Sequence, residues 1–125
     1  MGIRLNLSIL SPNFKFHMVW LFMKDETKNW IAFAGENLHS AVILLESGLL
    51  NPCLHNIQQS VEKHLKALLL EKDQKIRKTH SISELHTMLQ DVGMAISLTE
   101  DQCELFDAVY LPSKYPLESV LPDFE

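Results

Sequence analysis

Between Asn51 and Leu70, apolar residues recur at three- and four-residue steps as Leu54, Ile57, Val61, Leu65 and Leu68. On a helix that spacing draws one stripe aimed at a core. Asn51 can cap such a helix, and Pro52 suits its first position, where no amide donor is needed. Beside the stripe runs a polar row: Gln58, Gln59, Glu62, Lys63 and Lys66. Glu62 and Lys66 stand at i and i+4, a pairing that contributes about 0.2–0.5 kcal/mol on a helix surface. The functional reading of the row places Gln59, Glu62 and Lys63 in a groove between helices.

From Lys24 onward a second helical pattern precedes this one. Trp30, Phe33, Ala34, Leu38, Ala41, Leu44 and Leu45 mark its buried face, and Gly48 supplies a left-handed stop. The turn Leu49-Leu50-Asn51 is short, so the two helices run antiparallel as a hairpin, each about 30 Å long. A charged connector, EKDQKIRKTHS, follows. Ser81 with Glu84 forms a capping box for a short helix ending near Gly93. Thr99 with Gln102 forms another box, ahead of Cys103, Leu105, Phe106 and Val109. Beyond Tyr110 the run LPSKYPLESVLPDFE carries Pro112, Pro116 and Pro122, which predicts extended chain.

The amino end breaks this helical character. Ile3, Leu5, Leu7 and Ile9 alternate with Arg4, Asn6 and Ser8, a strand period with no partner strand in the chain. The expected organisation is therefore a poorly packed extension or non-native start over 1–23, with Met23 as a rival start to Met1, and a helical bundle over 24–125. The expected fold class is all-α, an up-and-down antiparallel bundle of four helices. Two long and two short helices leave an apolar groove open, and exposed apolar patches favour self-association or a partner.

Composition narrows the function. The 125 residues are 46% hydrophobic and 22% charged, enough for one domain with a core. A formal net charge of −5 argues against a general nucleic-acid binder, although Lys72, Lys75, Arg77 and Lys78 form a local basic patch. Cys53 and Cys103 lack partners at metal spacing and read as reduced, packed thiols, which points to the cytoplasm. The apolar run at 16–23 is far shorter than the roughly 20 residues that span a bilayer, and no small-residue cleavage site follows it.

Candidate chemistry is sparse. Glu36 and His39 share the Glu-x-x-His spacing of di-iron bundles, but no second copy exists, so no metal is expected. No nucleophile elbow surrounds Ser60, Ser81 or Ser83, and the four glycines are not clustered into a phosphate loop. Nothing in the residues calls for a cofactor. His80 beside Arg77 and Lys78 suits a phosphate contact, or simply holds a helix end. Lys114 and Tyr115, between Pro112 and Pro116, are similarly suited to contact a phosphate and stack on a base.

Taken together, LLESGLLNPCLHNIQQSVEKHLKALLL, KTHSISEL and YLPSKYPLESVLPDFE closely resemble the HEPN domain family of prokaryotes over roughly Trp30 to Glu125. The resemblance implies a helical bundle that usually forms a homodimer, often paired with a minimal nucleotidyltransferase as toxin and antitoxin. It marks Gln59, Glu62, Lys63, Lys78, His80, Lys114 and Tyr115 as candidates for nucleotide or RNA contact. Three departures stand out. HEPN ribonucleases carry Arg-x(4–6)-His, whereas Arg77 lies three residues before His80 and nine before His86, and Arg4, the other arginine, lies in the extension. Arg77 and His80 are thus weak catalytic candidates, and the enzyme reading leans toward no. Lys114 stands where the family usually has arginine, keeping charge but losing the bidentate fork. Family members also continue past the Pro-Asp-Phe-Glu stretch into a last helix. The expectation is a non-catalytic dimeric module; the alternatives are an atypical ribonuclease toxin and a truncated inactive remnant.

Overall fold

The computed structural model describes residues 20–76 and 78–114. They form α1 (Asp25–Glu46), α2 (Leu50–Glu71), α3 (Ile82–Asp91) and α4 (Glu100–Lys114), with a helical turn at 20–22 ahead of α1. No strand occurs among the described residues, and the all-α class stands. The alternating segment around Ile3 to Ile9 lies outside the described residues.

Three of the helices stop in the same way. The amide of Leu49 donates to Leu44 O (2.9 Å) and that of Gly48 to Leu45 O (3.0 Å), with Gly48 at φ +74°. This is a Schellman ending, which satisfies carbonyls that have no partner within the helix. Gly93 (φ +78°) and Met94 close α3 through Gln90 O and Leu89 O. Asp73 and Gln74 close α2 through Leu70 O and Leu69 O, with Asp73 at φ 58° in the position that glycine usually fills. Helix starts differ more. Thr99 and Gln102 make the reciprocal box expected of them, at 3.0 and 3.1 Å. At α3, Ser81 Oγ accepts from Glu84 N (3.1 Å), while the Glu84 carboxylate accepts from Thr79 Oγ1, which itself accepts from Ser81 N.

Asn51 does not cap α2. The helix begins at Leu50 with Leu49 as its cap residue, because the ending of α1 delivers the chain directly into the next helix. Asn51 is therefore inside the first turn, and Pro52 still lies where its missing amide costs nothing.

Helices α1 and α2 run antiparallel along their whole length. Thr27 Oγ1 donates to Glu71 Oε2 (2.6 Å), Ser60 Oγ to Ala34 O (2.8 Å), and Asn37 Nδ2 to Asn56 Oδ1 (2.9 Å), so partners descend on one helix as they rise on the other. Buried Ala34 and Ala41 let the two backbones approach. The core proper sits at the far half of α2. There Leu65 and Leu69 pack with Ile82, Leu85 and Leu89 of α3 and Cys103 of α4. Helix α3 is only 10 residues long, so it covers one end of the hairpin.

Two expectations need correction. Phe33, Leu38 and Leu45 are not buried; the sheltered face of α1 is Thr27, Ala34 and Ala41. Among the described residues α2 is the only helix packed extensively on α1, so the arc it covers is narrow. Second, α4 continues to Lys114, so residues 111–114 are helical and not extended. The φ that proline fixes is itself helical, so Pro112 forfeits a hydrogen bond without forcing the chain out of the last turn.

Candidate functional site

The polar row on α2 is mostly interior. Gln58, Glu62 and Lys66 are buried, and Gln59 and Lys63 are half-buried. Of the residues read from sequence as lining a groove between helices, Glu62 is buried beneath the connector, Gln59 bonds to Gln58, and Lys63 bonds to Asn37 of α1. Glu62 is the hub. Its Oε2 accepts from Lys66 Nζ at 3.2 Å, and its Oε1 lies 2.9 Å from His80 Nδ1. The Glu62 and Lys66 side chains are only 4% and 7% exposed, so this pair is no solvated surface bridge. Buried charges need such partners, because removal from water costs several kcal/mol per ion. The ammonium of Lys66 also lies 5.9 Å from the centre of the Trp30 ring, within cation–π range.

His80 is tied down twice. Besides the imidazole contact to Glu62, its backbone carbonyl accepts from Gln58 Nε2 at 3.2 Å, and Gln59 Nε2 donates to Gln58 Oε1 at 2.8 Å. Its side chain nevertheless remains 56% exposed. A buried carboxylate thus orients a half-exposed imidazole. Lys78, two residues earlier, is exposed, as are Lys72 and Lys75. The far end of the connector is anchored from α4. Asp107 accepts from Ile82 N (2.5 Å), Ser81 Oγ (3.0 Å) and Ser83 N (3.2 Å), so a carboxylate sits at the positive end of α3.

Lys63 belongs to a separate group. Its Nζ donates to Asn37 Oδ1 (2.6 Å), which joins the Asn37–Asn56 pair across the hairpin. Lys114 is the last residue of α4 rather than part of a loop. Tyr115 and Arg77 lie outside the described residues. Glu36 and His39 are both exposed on α1, and among the described residues no three His, Cys, Asp or Glu side chains group closely enough to hold a metal ion.

A shallow cleft of about 140 Å³ opens between α3 and α4, lined in part by His86, Cys103, Glu100 and Glu104. Of the residues weighed from sequence it holds Ser83, Cys103 and His86, the last an alternative to His80 in the ribonuclease reading. His86 Nε2 is buried there without a hydrogen-bond partner among the described residues. Burial pushes the Cys103 thiol up from its usual range, and the negative charges of Asp107 and Glu100 add to this.

Sequence reasoning missed Trp30 as a partner of Lys66 and Asp107 as the anchor of α3. The polar row was visible in sequence, whereas Asp107 is an acid on a helix with nothing local to mark it.

A two-helix hairpin with a short helical pair across one end defines a small helical-bundle domain whose polar centre lies on the second helix and the connector after it. A family model for the HEPN domain matches residues 27–122, and the chain belongs to that family. No match was found among curated proteins or among solved structures.

Proposed function

We propose that this chain is a non-catalytic HEPN module that dimerises, associates with a nucleotide or RNA, and partners a minimal nucleotidyltransferase in a toxin–antitoxin type of pair. The observation that carries this reading is the anchoring of His80. Gln58 and Glu62 hold the connector from below, so Lys72, Lys75 and Lys78 stand exposed on a tethered segment. Lysines displayed this way suit phosphate oxygens, and with an overall charge of −5 such contact depends on a local basic patch. Glu62 serves Lys66 and His80 together, which fits a positioning role for the carboxylate. The apolar residues exposed along α1 support dimerisation.

Two measurements test the proposal. Light scattering of the full chain, alone and with a neighbouring nucleotidyltransferase, should give a dimer that gains mass with the partner. Binding of a labelled RNA should weaken with salt, and Lys75→Ala with Lys78→Ala should lower both affinity and salt slope. A monomer indifferent to the partner and to RNA defeats the reading.

One observation favours a second reading, an atypical ribonuclease toxin. A carboxylate bonded to Nδ1 of a half-exposed histidine is an arrangement used to orient a catalytic imidazole. If that is its role here, expression of the wild-type chain slows growth and degrades RNA, and His80→Ala abolishes both effects. Unaffected growth and intact RNA with the wild type count against it.

A further inference from the structure

Helix α1 carries a second apolar row that its packing on α2 does not use. Ile31, Gly35, Leu38, Val42 and Leu45 follow one another at alternating four- and three-residue steps, and Leu49 extends the series just past the helix end. This is the spacing of a helix seam that meets another helix at a shallow angle. Leu38, Val42, Leu45 and Leu49 are 49–60% exposed, and Gly35 is exposed as well. Between Trp30 and Leu45 the acidic or basic residues are Glu36, which lies well around the helix from the row, and His39, which is exposed and flanks it beside Leu38.

Gly35 is the telling position. It sits in the middle of a 22-residue helix, where glycine lowers helix stability. A Cβ built there meets nothing within 4 Å, so no neighbour among the described residues demands its absence. Glycine in an apolar helix row permits close approach by another backbone or a large side chain.

We infer that this row is the contact surface between two copies of the chain, with the two α1 helices packed antiparallel about a two-fold axis. This rests on the dimer in the reading above and specifies which surface makes it. In the antiparallel register Gly35 faces the partner's Leu45, Leu38 faces the partner's Val42, and Ile31 faces the partner's Leu49. Each large residue meets a smaller one or an apolar equal, and the two-fold repeats every contact. A parallel pairing would set Gly35 against itself and leave a gap. The register also opposes the helix dipoles and puts no charged residue in the row itself, with His39 of each copy flanking the two-fold axis.

Sedimentation equilibrium of the full chain tests this. The wild type should dimerise, and Leu38→Glu with Val42→Glu should weaken dimerisation by at least about 100-fold. Helical circular dichroism should remain that of the wild type, since both side chains are half in water. Gly35→Leu provides a second arm. It should raise the thermal stability of the isolated subunit while loosening the dimer, a split that a purely structural glycine would not produce. A wild-type dimer unmoved by all these substitutions overturns the α1 seam but leaves dimerisation standing. A monomeric wild type overturns both, whether residues 1–19, residues 115–125 or another protein covers the row.

Discussion

Glu62 shows how far a residue's role depends on what surrounds it. In water, a glutamate four positions before a lysine adds little to stability. Here the same pair is buried, and Glu62 holds Lys66 and His80 together. Among the described residues, replacing it by leucine leaves the Lys66 ammonium with only the Trp30 ring, so Glu62→Leu should cost about 3–5 kcal/mol. Glu62→Leu with Lys66→Leu should cost clearly less than Glu62→Leu alone, since no buried charge is then stranded; urea unfolding of both variants measures the difference. Cys103 gives a prediction in pH. Its thiol ionises less readily in the folded chain than in the unfolded one, where the ordinary value is 9.0. The neutral thiol's contribution is therefore fully present below that value. It is lost as pH rises, because the unfolded state gives up its proton first. Unfolding curves at pH 8 and pH 10 should show stability falling with pH, and Cys103→Ala should make that fall shallower.

At the scale of elements, helix ends were the most legible feature. Gly48, Gly93 and the Thr99–Gln102 box all sit where local chemistry predicts, because capping needs only residues a few positions apart. Asp73 was not legible. It occupies a left-handed position that favours glycine, next to an exposed pair with Lys24. Asp73→Gly should raise stability by up to about 1 kcal/mol, since relief of the backbone outweighs loss of an exposed ion pair. A shift of the thermal midpoint reads this directly. Helix α4 ran past its expected end because Pro112, Pro116 and Pro122 together suggest extended chain, whereas a proline's φ is itself helical and Pro112 stays within the helix.

Across the whole molecule, stability is concentrated at one end. Leu65 and Leu69 of α2 meet Ile82, Leu85 and Leu89 of α3 around Cys103, while among the described residues the other half of the hairpin is held mainly by α1 against α2. Leu85→Ala should therefore cost about 2–5 kcal/mol and loosen the connector with α3. Hydrogen exchange should show amides of α3 losing protection before those in the middle of α2. Among the described residues no helix is long and apolar enough to cross a membrane. Among the described residues α1 has one extensive neighbour, which leaves apolar residues on it exposed, and under the proposed dimer this is the area a second copy seals.

Periodicity, caps and turn lengths are local properties, so the chain itself determined the four helices of the described residues and their antiparallel hairpin, while the family is carried by its residue motifs. Which side of each helix meets another is settled by packing between distant segments. Only the tertiary structure could place Glu62 under His80, bring Asp107 to the start of α3, and turn part of the apolar face of α1 toward solvent. Amphipathic patterning says that a face will be covered; the cover itself comes from elements far away in sequence.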